Sequence, residues 1–74
     1  MSKIPAITGK RLLKVLQQLG FETLRVRGSH FFLRHPDGRT TVLPMHAGEA
    51  IGPGLLNSIL RQVKLSRDEL MTLL

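Results

Sequence analysis

Between Thr8 and Gly20 the apolar residues Leu12, Leu16 and Leu19, with Leu13 and Val15 beside them, recur at the helical period. Thr8 is placed to cap a helix over residues 9–19, because a threonine hydroxyl can accept from an unpaired amide of the first turn. Gly20 stands where a left-handed terminating residue belongs, and Phe21 can fold back on Leu16. The rhythm then changes. In "FETLRVR" it alternates, which places Leu24 and Val26 on one face of a strand and Thr23, Arg25 and Arg27 on the other. Gly28-Ser29 interrupts it, and "HFFLRH" is a second strand. "HPDG" is a tight turn with Pro36 second and Gly38 fourth. "RTTVLPMH" is a third strand, and Pro44 near its end assigns it to an edge or ends it there.

Helical spacing returns with Leu56, Ile59, Leu60 and Val63, behind a Gly52-Pro53 pair suited to opening a helix. In "LSRDEL", Ser66 and Glu69 have the spacing of a capping box, and Leu65 with Leu70 that of a hydrophobic staple. The elements therefore predict an α+β fold of order α-β-β-β-α with a short extra C-terminal helix. Its sheet is three-stranded and antiparallel, with the helices on one face and the other face left to solvent or a partner. With 74 residues, the whole chain 1–74 is expected to form one domain. If Leu24 and Val26 turn inward, the open face carries Arg25 and Arg27. On the second strand His30, Phe32 and Arg34 would join them, with Phe31 and Leu33 facing the core.

Composition adds where the charge lies. The net charge is +6, and residues 1–47 hold all of that excess, with eight basic residues, Lys3 among them, against Glu22 and Asp37. A positive field confined to that part of the chain suits a polyanionic partner. A small basic α-β-β-β-α unit can contact A-form RNA through phosphates, 2′-hydroxyls and overall shape. Arg25, Arg27, Arg34 and Arg39 are candidate phosphate ligands, with Lys10, Arg11 and Lys14 as a second cluster on the first helix. There is no Trp or Tyr, and Phe32 alone of the three Phe falls on the expected open face, so recognition by base stacking is limited.

The chain has no cysteine, which excludes disulfides and thiolate metal sites and fits a reducing, cytoplasmic setting. No apolar run approaches the roughly 20 residues of a membrane span, and the first residues lack the apolar centre of a signal peptide. The five carboxylates are scattered, so no metal ligand set or cofactor is expected. Of the three histidines, His35 belongs to a turn and His46 follows the third strand, a position from which it could approach a substrate. His30 follows Gly28-Ser29 among arginines. From the residues alone, His30 is either a structural strand residue or a proton-transfer group. The second role suffices for a metal-free ribonuclease, because RNA carries its own nucleophile and needs only a base and cations for the phosphorane charge.

The stretch "LLKVLQQLGFETLRVRGSHFFLRHPDG", with "TTVLPMH" and "IGPGLLNSILRQVKLSRDEL", resembles the HicA-type toxins of bacterial toxin–antitoxin systems over residues 8–73. "R-x-x-G-S-H" is the most specific element, supported by "L-P-x-H" and "G-x-L-x-S-I-L-R". The resemblance implies a double-stranded-RNA-binding-domain-like fold and an mRNA interferase, an endoribonuclease that cleaves mRNA and inhibits translation and growth. It maps the family's catalytic histidine onto His30, with Gly28 and Ser29 as the turn presenting it, and implies a HicB-type antitoxin covering the basic face. Phe31 departs from the Gly-Ser-His-His of many members. Two other classes stay open: a non-catalytic double-stranded-RNA-binding module on the same surface, and a domain whose open sheet only receives a protein.

Overall fold

The computed structural model describes residues 5–74; Lys3, counted in the basic total, lies outside them. The order is α1 (Gly9–Gln18), β1 (Glu22–Arg27), β2 (His30–Arg34), β3 (Thr40–Pro44), α2 (Pro53–Val63) and α3 (Arg67–Leu73). The strands form one antiparallel sheet ordered β1-β2-β3, so the α+β architecture is the one the hydrophobic pattern predicts.

Each helix end has a local cause. The Thr8 hydroxyl accepts from the Arg11 amide at 3.2 Å, starting α1. At its far end Gly20 takes φ +102°, while Phe21 N–H donates to the Leu16 carbonyl at 3.0 Å and Gly20 N–H to that of Gln17 at 3.1 Å. This pair of bonds satisfies carbonyls that the helix leaves unpaired. Gly52 and Pro53 open α2. In α3 the capping box is complete: Ser66 Oγ accepts from Glu69 N–H at 3.0 Å, and Glu69 Oε1 from Ser66 N–H at 2.9 Å.

The apolar stripes converge on one core. Leu12 and Leu16 of α1, Leu33 of β2, Leu43 of β3, Ile59 and Val63 of α2, and Leu70 of α3 are fully buried. Each such side chain contributes about 1.5–3 kcal/mol relative to exposure. β3 is the strand on which both long helices rest. Gly9 shows how closely: a Cβ there would run into the Pro44 carbonyl oxygen. Thr41, buried on the same strand, donates its hydroxyl hydrogen to Gln62 Oε1 of α2 at 2.6 Å.

β1 departs from the expectation. All six of its residues are exposed, with Leu24 58% and Val26 49% accessible. Val26 has the inner register, opposite Phe31, but no helix reaches far enough to cover it. Leu24 sits in a bulge where the register slips between Thr23 and Arg25, so Leu24 and Arg25 both stand against Phe32. Thr23, assigned by alternation to the arginine face, instead pairs with the buried Leu33. An extra residue of this kind reverses parity upstream of itself and preserves it downstream.

The β2–β3 turn ties the two ends of the core together. His35 Nε2 lies 2.9 Å from the Leu19 carbonyl, which can only accept, so this nitrogen carries the hydrogen. Nδ1 accepts from the Asp37 amide at 3.1 Å, and the ring meets Phe21 edge-on at 5.0 Å. Asp37 pairs with Arg39 Nε at 2.7 Å. Arg39 in turn lies over the Phe21 ring and donates to the Val63 carbonyl at the end of α2. Arg39 is thus a structural residue, contrary to its expected place among the phosphate ligands: its guanidinium is already engaged on several sides.

Two outcomes follow from the termini and the turn. Lys64 closes α2 in the left-handed region, φ 56°, where a side chain is strained. Lys64→Gly should therefore raise unfolding free energy by about 0.5–1 kcal/mol in urea titration; an unchanged midpoint would show that the strain is not felt. The Asp37 carboxyl is held below its ordinary value of 3.8, chiefly by the Arg39 amide and then by the Arg39 guanidinium. That of Glu69 is held below 4.5 by the Ser66 amide and hydroxyl. As pH falls the unfolded chain protonates these groups first, so their stabilisation is full above pH 4.5 and is lost progressively below it. The pair Asp37→Asn and Glu69→Gln should flatten that acid limb of a stability–pH curve measured by denaturation.

Candidate nucleic-acid interface

The β1–β2 connection is a two-residue turn, since Arg27 pairs with His30. Gly28 has φ +58° and Ser29 does not share the positive sign, which fits a turn with glycine at its first central position. Such a turn matches the twist of the flanking strands and holds Arg27 and His30 side by side. The Ser29 carbonyl accepts from Met45 N–H at 2.6 Å, anchoring the turn to the end of β3. The cross-strand pairs then build the open face in rows: Arg27 with His30, Arg25 with Phe32, and Glu22 with Arg34. The face expected for His30, Phe32 and Arg34 is the face they occupy, with Leu33 buried behind and Phe31 packed on the core.

His30 is exposed, and its imidazole has no hydrogen-bond or ion-pair partner among the described residues. Arg27 beside it is likewise exposed and unpaired among those residues. The Arg25 guanidinium lies 4.6 Å from the centre of the Phe32 ring, so Phe32 carries a cation rather than offering a bare stacking surface. Arg34 is four residues along β2 from His30, roughly 13 Å at strand rise, and faces Glu22 across the strands. It is therefore too distant to share one phosphate with His30. Beside this face a groove of about 630 Å³ is lined by Leu24, Arg25, Phe32, Val42, Leu55 and Gln62. No sequence signal marked it, because it depends on the Leu24 bulge and on where α2 lies.

Lys10 is not on this face. It lies at the start of α1, in a second groove that also includes Phe31, Met45 and His46. Arg11 and Lys14 are exposed on α1 as expected. Of the histidines, His35 is the structural turn residue described above. His46 is exposed two positions beyond Pro44, the residue opposite His30. Among the described residues no three His, Asp or Glu side chains come together as a metal-binding group.

Fold and surface together define a small α+β domain that presents a cationic strand pair and, beside a tight turn, a histidine without a side-chain partner among the described residues. The family model for the HicA toxin of bacterial toxin–antitoxin systems matches residues 9–65, and the chain belongs to that family. No curated protein matches it. Membership makes the chain the toxin component of a toxin–antitoxin system, with an antitoxin as its partner. No described helix is long and apolar enough to cross a membrane.

An added Cβ at Gly28 would meet nothing within 4 Å, so its substitution tests backbone conformation alone. Gly28→Ala should lower stability by about 1–2 kcal/mol and shift the backbone NMR signals of Arg27 to His30. Wild-type stability and spectra would show that the turn does not require glycine.

Proposed function

We propose that this protein is an endoribonuclease that cleaves mRNA without a metal ion, with His30 as general base or acid. The observation that carries this reading is the unpartnered, exposed imidazole of His30 held next to Arg27 by the Gly28-Ser29 turn. In the reaction, neutral His30 takes the proton of a ribose 2′-hydroxyl. The oxygen attacks the adjacent phosphorus, the O2′–P bond forms, and negative charge grows on the phosphorane oxygens. Arg27 lies where that charge develops. The P–O5′ bond then breaks, and the leaving oxygen takes a proton from an acid, leaving a cyclic phosphate on one fragment and a 5′-hydroxyl on the other. Such proton transfer contributes roughly 10²–10⁴-fold in rate, and preorganised cations add an electrostatic share.

Arg25 holds the neighbouring phosphate and Arg34 one further along the strand, while Lys10 contacts RNA from the other side of the sheet end. Gly28 and Ser29 act by positioning. The scatter of the carboxylates supports a reaction that uses the RNA hydroxyl and the protein's own groups. A HicB-type antitoxin neutralises the toxin by covering the open face and His30, for which family membership and the unpaired arginines are the support.

Cleavage of mRNA by purified protein, wild type beside His30→Ala, tests this. The variant should lose cleavage by about 10²–10⁴-fold and no longer arrest growth, while its circular dichroism is unchanged; wild-type cleavage should survive EDTA. Wild-type-like cleavage by His30→Ala would contradict the role of His30. Saturable, salt-dependent binding that leaves RNA intact would instead indicate a double-stranded-RNA-binding module.

A further inference from the structure

The groove that holds Lys10 has about 530 Å³ of space, within the range of small-ligand sites. Its apolar walls are Leu13, Phe31 and Met45, its polar groups are Lys10, His46 and the capping Thr8, and no lining residue is acidic. Phe31 follows His30 directly on β2, and their side chains point to opposite faces of the sheet. The groove and His30 are therefore back to back across the end of the sheet. The Ser29–Met45 hydrogen bond of 2.6 Å joins the two sides at that end.

The geometry points to a nucleobase subsite in this groove, taking one base of a single-stranded RNA that passes around the Gly28-Ser29 tip. This inference rests on the proposed ribonuclease function and adds the recognition element. An aromatic ring with two flexible apolar side chains accepts the face of a base. Lys10, at the same opening, neutralises that nucleotide's phosphate, and His46 has donor and acceptor nitrogens for the base edge. A strand held here passes around the Gly28-Ser29 tip to His30 and Arg27 on the opposite face. The groove shares its sheet end with His30 and Arg27, so the RNA strand they engage is the occupant we assign; an acidic protein segment, for which the cationic lining is equally suited, is separated from it by the test.

The site also gives a specific contact to two residues that lie off the open face. Lys10 stands apart from the arginine rows, and Phe31, although packed on the core, keeps part of its surface in the groove.

The test uses the His30→Ala protein and labelled single-stranded RNA oligonucleotides, each abasic at one position, read by fluorescence anisotropy. At one position loss of the base should weaken binding by about tenfold. Ala47→Trp, added from the exposed turn that borders the groove, should fill it and shrink that loss to about twofold or less. In the cleaving protein Ala47→Trp should raise KM while leaving kcat near wild type. An undiminished position-specific loss in the filled protein would overturn the subsite, as would Ala47→Trp weakening only antitoxin binding. If wild-type protein binds with the position-specific loss but never cleaves, the subsite stands and the ribonuclease reading fails. If it cleaves with no position-specific loss, the reverse holds.

Discussion

The tie between the β2–β3 turn and the two helix ends is the interaction on which the arrangement depends. His35 closes the last carbonyls of α1 through Leu19, and Arg39 does the same for α2 through Val63, while Asp37 donates its amide to His35 and accepts at its carboxylate from Arg39. Helix C-termini carry unpaired carbonyls and partial negative charge, so a cation and an imidazole N–H are chemically suited to that position. Phe21 fills the space between them. The helices are thereby gathered over β3 and the inner side of β2. Among the described residues no helix covers β1.

The candidate interface follows from that asymmetry. Because the helices stop short of β1, its arginines stay exposed and accessible to a polyanion. Burying them would have demanded paired carboxylates, and the chain has only five acidic residues. The strand exposes Leu24 and Val26 as well, apolar residues that a purely electrostatic surface would not need. The same edge bears the Gly28-Ser29 turn, so the position of His30 depends on hairpin geometry rather than on a packed core. At the opposite side of the sheet end, Gly9 lets α1 come down onto Pro44, which brings Lys10 close to Met45 and His46.

What could be read from sequence and what could not divide along physical lines. Caps, the Gly20 terminus, the Ser66–Glu69 box and the "HPDG" turn are local chemistry, decided within a few residues, and each lies where its spacing places it. The grouping of Arg27 with His30 was equally local, since a two-residue turn leaves no alternative neighbour. The exposure of Leu24 and Val26 was not legible, because alternation reports which residues share a face and not whether a helix covers it. Nor was the bulge, which falls at a leucine with no glycine or proline to mark it. Arg39 looked like one more surface cation, because its partners at Phe21 and Val63 are distant in sequence. The separation of Lys10 from the arginine rows required knowing how α1 lies on β3. For the candidate site, then, the adjacency of Arg27 and His30 was legible and the extended footprint was not.

A central chemical claim joins these elements: the RNA supplies the attacking oxygen, and the protein supplies a base and cations on an open sheet. An RNA oligonucleotide containing one 2′-deoxy nucleotide on the 5′ side of a mapped cleavage site tests that claim most directly. Cleavage at that bond should disappear while binding and cleavage elsewhere persist. Continued cutting at the deoxy position would show that water or another nucleophile attacks, and the account of His30 as the base for a 2′-hydroxyl would be wrong.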